Sequence, residues 1–169
     1  MVVGSAANSD SFTVTMPSDR EIRMTRLFDA PPWLVFEAMT RPEHVKQWWG
    51  RLGDGYSVPV CEIDLRVGGR WRFVNRHPKG EAAFHGEYRE IAPPSRLVFT
   101  EIFEAFPDTV SVVTAEFVDE VGKTRIIVTA SYPSTEVRDM VNSSGMARGA
   151  GISYDRLEDL VAELQRRQS

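Results

Sequence analysis

Between Val58 and Tyr132 the chain repeatedly alternates apolar and polar residues, and each alternating run ends at a turn signal. In "VPVCEIDLRV", Cys61, Ile63 and Leu65 alternate with Glu62, Asp64 and Arg66. Gly68-Gly69 turns the chain, and "RWRFVN" sets Trp71 and Phe73 against Arg70 and Arg72. "AFHGEYREI" and "RLVFTEIFE" flank Pro93-Pro94, while "TVSVVTAEFVDE" and "KTRIIVTASY" flank Val121-Gly122. A period of two puts one side of each run on a buried face, which a helix cannot do. The short turns make neighbouring runs antiparallel, so most of this chain must become a sheet that needs something to cover it.

The cover comes from the two ends. "EIRMTRLF" places Ile22, Met24, Arg26 and Phe28 on one side of a first strand. Asp29 offers an N-cap and Pro31 and Pro32 suit a first turn, before helical spacing in "WLVFEAM". A second short helix is expected in "RPEHVKQWWG", where Thr40 and Glu43 have capping-box spacing and Gly50 can end the element. Arg41 is unfavourable so near a helix start. Trp48 and Trp49 point about 100° apart on such a helix, so one fills the core and the other has a different task.

After Pro133 the pattern predicts one long C-terminal helix capped by Ser134. Glu136 and Asp139 lie in its first turns, and Arg166 and Arg167 near its end. Ala150, Tyr154, Leu157, Val161 and Leu164 form its buried stripe. Residues 1–11 are small and polar without periodicity and are expected to be a flexible leader, leaving 12–169 as a single domain. The fold class is α+β, with a curved antiparallel sheet of about seven strands, two short helices after the first, and a long C-terminal helix.

The segments "RLFDAPPWLVFEAMTRPEHVKQWWG", "DLRVGGRWRF", "FHGEYREIAPPSRLVFTEIF" and "SGMARGAGISYDRLEDL" together resemble the START-type ligand-binding superfamily (SRPBCC). Within it they are most similar to the branch named after the C-terminal domain of the activator of the heat-shock protein 90 ATPase. The resemblance covers roughly residues 20–165. It implies a helix-grip fold whose sheet and long helix enclose an apolar cavity for hydrophobic small molecules. This chain departs from the pattern at three positions. Relatives often carry an acid where it has Arg41, a tryptophan where it has Ala150, and an aromatic where it has Glu101.

Glu101 is the most informative of these. Strict alternation sets it with Leu97, Phe99 and Phe103 on the face expected to be concave, where an unpaired carboxylate is costly or takes up a proton. The alternative is a bulge or strand-end position that turns it to solvent or to an arginine. The expected ligand-binding set is Trp48 or Trp49, Trp71, Phe73, Tyr88, Phe99, Glu101, Phe103, Met140, Met146 and Ala150. Ser143, Ser144, Gly145, Ala147, Gly149, Ala150 and Gly151 form a small-sided patch, serving close helix packing or leaving room for a ligand.

Other chemistry is sparse. With net charge −4 and pI about 5.4, the chain has no basic footprint for nucleic acid. His44, His77, His85 and Cys61 lack metal-motif spacing, so no metal is expected, and no cofactor fingerprint is present. Cys61 has no disulfide partner and reads as a small core residue. No secretory signal or membrane-length apolar run is visible, which suggests a cytoplasmic protein.

The expected partner is a hydrophobic, aromatic or lipid-like small molecule. One alternative, from the resemblance, is a co-chaperone-like domain acting on heat-shock protein 90, although nothing here resembles that activator's separate N-terminal part. The other is a cyclase, hydratase or hydrolase using Glu101, His85 or Tyr88 as acid or base. That chemistry requires at least two of the three to converge on one point.

Overall fold

The computed structural model describes residues 12–168. The leader expected at 1–11 lies outside the described residues. In chain order the elements are β1 (Phe12–Thr15), β2 (Glu21–Phe28), α1 (Pro32–Thr40), α2 (Pro42–Trp48), β3 (Ser57–Ile63), β4 (Arg70–His77), β5 (Gly80–Ala92), β6 (Arg96–Phe103), β7 (Ser111–Glu120), β8 (Lys123–Ser131), α3 (Thr135–Ser143) and α4 (Met146–Gln168). The strands form one curved sheet in the order β1-β2-β8-β7-β6-β5-β4-β3, antiparallel throughout. β2 is placed beside β8, so the first and last long strands meet and the helices fold across one face. This is the helix-grip layout.

Eight strands stand where about seven were expected. The additional one is β1, four residues too short to reveal a period, which pairs Phe12 opposite Arg26 and Val14 opposite Met24. Alternation holds well in β7 and β8, where Ser111, Val113, Ala115 and Phe117 on one strand and Thr124, Ile126, Val128 and Ala130 on the next are buried. Their turn is taken by Val121 at φ +56° and Gly122 at φ +83°. Positive φ at both central residues is the signature of a type I′ hairpin turn. Leu65 departs from expectation: β3 ends at Ile63, and Leu65 is exposed just before the turn closed by the Gly69 amide on the Arg66 carbonyl.

The helix starts are built differently from the sequence expectation. Pro31, not Asp29, is the N-cap of α1, and it supplies no side-chain cap. Thr40 is the last residue of α1 and its hydroxyl donates to the Phe36 carbonyl at 2.8 Å, so the Thr40/Glu43 capping box does not form. Arg41 is the N-cap of α2, and its charge is offset by Glu37 at 2.8 Å. Gly50 takes φ +67° just beyond that helix, as its expected role in ending α2 requires.

The single C-terminal helix is in fact two. Ser134 caps α3, accepting from the Val137 amide at 3.2 Å, but the helix ends at Ser143. The Ser144 hydroxyl donates to the Val141 carbonyl and Gly145 takes φ +84°, which permits a sharp change of direction. α4 then carries the stripe. Tyr154, Leu157 and Val161 are buried with Ala147 and Leu160, while Ala150 and Leu164 are half-buried against the core. α4 lies close to α1, α2 and β2, where Phe28, Ile22, Val35, Leu157 and Val161 are fully enclosed. Among the described residues no helix is long and apolar enough to cross a membrane.

Candidate functional site

In an antiparallel ladder, residues directly opposite one another send their side chains to the same face. Cys61 lies opposite Phe73, Phe73 opposite Phe84, and Phe84 opposite Phe103, which makes one row across β3 to β6. A second row runs through Ile63, Trp71 and Gly86. Tyr88, Phe99, Val113 and Ala130 make a third. All three rows lie on the face toward the helices. The result is an aromatic wall over β4, β5 and β6.

The rings contact one another edge-on or stacked. Trp71 lies 4.8 Å from Phe73 and 5.7 Å from Phe99 between centroids, Phe84 stacks on Phe103 at 4.9 Å, and Tyr88 meets Phe99 at 6.1 Å. Trp49 closes the group from α2's end, 5.1 Å from Phe73 and 5.6 Å from Phe84. Such spacings are favourable for aromatic pairs. Trp71 and Tyr88 are buried, whereas Trp49, Phe73, Phe84 and Phe99 pack on the core but keep part of their accessible surface, as does Phe103, which packs on Phe84. These five side chains therefore lie on the inner face without being fully enclosed.

The two tryptophans divide the work. Trp48 is 5% exposed, its indole N–H donates to the Ala38 carbonyl at 3.0 Å, and its ring lies against Tyr154 of α4. It ties α1, α2 and α4 together. Trp49 faces the aromatic wall instead.

Glu101 is on the same face. It lies opposite Ser111, with Phe99 and Phe103 two positions away on either side along β6. Its side chain makes no hydrogen bond or ion pair among the described residues. Burial alone raises its carboxyl to about 7. The Glu101 side chain is therefore desolvated by the protein around it, yet the residue keeps accessible surface, as a group lining a recess does. Its charge is felt by two phenols, Tyr132 and Tyr154. Burial is the main cause of their raised pKa values and the Glu101 carboxylate adds to it. Arg26, buried on β2, pairs through Nη1 with Asp155 at 2.7 Å and lies over the Phe28 ring, while its Nε is buried without a hydrogen-bond partner.

The remaining expected residues separate from this group. His85 points to the opposite face of β5, with Nδ1 2.9 Å from Glu104 Oε2. Glu104 also accepts two hydrogen bonds from Arg72, which hold its carboxyl down at about 2. Tyr88 is buried in the third row and its phenol is raised by burial first and by Cys61 second. Of the three acid-base candidates, Glu101 and Tyr88 share the inner face and His85 does not. Met146 and Ala150 are half-buried against the core, but Met140 is exposed on α3. Cys61 has its thiol 3.6 Å from the Pro42 carbonyl and raised to about 11 by burial. Among the described residues no cluster of three or more potential metal ligands occurs.

Part of the small-residue patch is explained by packing. A Cβ on Gly151 would meet the Phe12 ring at 3.3 Å, and one on Gly149 would meet Leu52 at 3.4 Å. Sequence reasoning missed Phe84 as part of the aromatic wall, and Tyr132 and Tyr154 as phenols within reach of the Glu101 charge. Phe84 was legible, since it is in phase with Gly86 and Tyr88. Tyr132 follows the last residue of β8, where alternation has no further partner to fix its side.

Residues 29–162 match the profile of the family described as "Activator of Hsp90 ATPase homolog 1-like protein". No curated protein matches this sequence. Among solved structures, a protein of Rhodobacter sphaeroides is 26% identical with TM-score 0.81, over 89% of this chain and 98% of that one. Protein Ms6760 of Mycobacterium smegmatis is 26% identical with TM-score 0.76, over 87% and 96%. A Nitrosomonas europaea protein is 24% identical with TM-score 0.76, over 89% and 99%, and bears on the fold alone. A sheet gripping a long C-terminal helix, a fold of ligand-binding type, agrees with a profile match that runs from just after β2 well into α4. This chain belongs to the Activator of Hsp90 ATPase homolog 1-like family.

Proposed function

We propose that this chain binds a hydrophobic, aromatic small molecule in the recess between the concave sheet face and α4. The observation that carries the reading is Glu101, a desolvated carboxyl with no protein partner among the described residues, set in an aromatic wall. A packed core does not favour such a group, because an unpaired buried carboxyl costs several kcal/mol in stability. A binding site gains from it, since one polar point in an apolar surface orients a ligand. Trp49, Phe73, Phe84, Phe99 and Phe103 would provide the apolar contact, with Tyr132 and Tyr154 beside Glu101 as further polar points.

Titration with flavonoids, fatty acids and sterols, followed by tryptophan fluorescence and by amide chemical shifts, tests the reading. A saturable response with shifts concentrated at Trp49, Phe73, Phe99 and Glu101 is expected. Absence of saturation by every ligand class, or shifts confined to the outer face around His85, would count against it.

A further inference from the structure

Among the described residues no basic side chain pairs with Glu101. It lies opposite Ser111 of β7, and its charge reaches Tyr132 at the end of β8 and Tyr154 of α4. On the β5 side the register of Phe84 with Phe103 and of Tyr88 with Phe99 brings Gly86 opposite Glu101. Gly86 sends no side chain toward it. A Cβ there would fall 2.7 Å from the Trp71 indole nitrogen and 1.7 Å from the Thr100 carbonyl oxygen, so Trp71 occupies that flank. Its N–H donates to the same Thr100 carbonyl at 3.2 Å and is not turned to the carboxyl.

Arg26 is the basic group whose charge acts on Tyr154, but it does not act on Glu101: its Nη1 pairs with Asp155 at 2.7 Å, and its Nε is buried without a hydrogen-bond partner. Ser111 is likewise committed, donating to the Glu101 backbone carbonyl at 3.1 Å. Glu101 thus lies among the aromatic side chains of the inner face, opposite a serine, and no cation among the described residues acts on it. Aromatic faces attract cations and repel anions, and a carboxylate in low-dielectric surroundings favours a cationic partner strongly.

We propose that the recess takes a ligand bearing one protonatable amine on an aromatic body, with Glu101 as the counter-ion of that amine. This rests on the recess being a ligand site and adds the charge class of the ligand. Fatty acids and other anionic ligands are disfavoured by the same carboxylate. Because burial holds the free carboxyl at about 7, an arriving ammonium displaces its proton to the buffer, and the ion pair forms in its place.

Three probes with one naphthalene body separate the possibilities: 2-(2-naphthyl)ethylamine, 2-(2-naphthyl)ethanol and 2-naphthylacetate. Calorimetric titration of the whole chain at pH 6 and pH 8, in buffers of differing ionisation heat, gives both affinity and protons exchanged. The amine is expected to bind at least ~10-fold tighter than the alcohol at pH 8, with the acetate weakest, and to release close to ~1 proton per site at pH 6. Glu101→Gln should abolish proton release and the amine preference, with a cooperative urea unfolding transition showing that the variant is folded. Equal affinity for amine and alcohol in the unmodified chain overturns the inference and leaves the recess reading standing. So does binding of flavonoids or sterols when none of the three naphthyl probes binds. If no ligand of any class binds, the recess reading itself fails.

Discussion

At the residue scale, two adjacent tryptophans have opposite duties, and substitution separates them. Trp48 is enclosed and its indole N–H serves the Ala38 carbonyl, so Trp48→Ala should cost about 3–5 kcal/mol in urea unfolding. Trp48→Phe keeps much of the volume but orphans that carbonyl, for a loss of about 1–2 kcal/mol. Trp49 contacts only one side of the aromatic wall and stays half-buried. Trp49→Ala is expected to cost about 1–2 kcal/mol in stability and to weaken ligand binding out of proportion to that loss. Glu101 gives a second test at this scale. Its folded pKa of about 7 lies above the unfolded value, so the native state holds the extra proton between roughly pH 4.5 and 7. Stability therefore falls as pH rises across that window. Glu101→Gln should stabilise the chain on the order of 2 kcal/mol at pH 8 and change little near pH 4, read from denaturant midpoints.

At the scale of elements, backbone conformation decides more than propensity does. Gly86 brings β5 so near β6 that a Cβ would overlap the Thr100 carbonyl, which is backbone and cannot swing aside. Gly86→Ala is expected to destabilise by about 3 kcal/mol or more and to shift the Trp71 indole amide resonance. Gly145 sits in open space at φ +84°, so its requirement is for conformation and not for room. Gly145→Ala should cost only about 1–2 kcal/mol. Comparing the two by thermal unfolding distinguishes close approach from left-handed backbone. Gly151→Ala is intermediate: the helix gains from alanine while Phe12 must yield a few tenths of an ångström.

For the whole molecule, pH acts through two carboxyls of opposite sign. Glu104, on the outer face, is held at about 2 chiefly by its hydrogen bonds from Arg72, with His85 assisting. Its contribution is present above the unfolded carboxylate value and is lost as pH falls from roughly 4.5 toward 2. Glu101 works the other way over the next window up. The ordered expectation is a stability maximum on the mildly acidic side, moved upward by Glu101→Gln and flattened on its acid limb by Glu104→Gln. Urea midpoints from pH 3 to 9 for the three proteins measure it. Solvent and salt should shrink the Glu104 effect, because that pair is exposed.

The sequence by itself determined the period of each strand, the turns that make them antiparallel and the amphipathic stripe of α4, and it set Glu101 in phase with Phe99 and Phe103 while leaving open whether a bulge turns it outward. Those follow from local geometry, since the side chain's direction is fixed once a residue is in a strand or helix. It also set the choice between Trp48 and Trp49 without making it, because both have equal local claims. Tertiary structure decided that choice, through the distance from each ring to Ala38 or to the sheet. It likewise decided that Thr40 bonds back to Phe36 instead of capping α2, that the C-terminal helix breaks at Gly145, and that the charge of Glu101 reaches Tyr132 and Tyr154. Each of these depends on partners far apart in the chain, brought together only when the sheet curls and α4 closes over it.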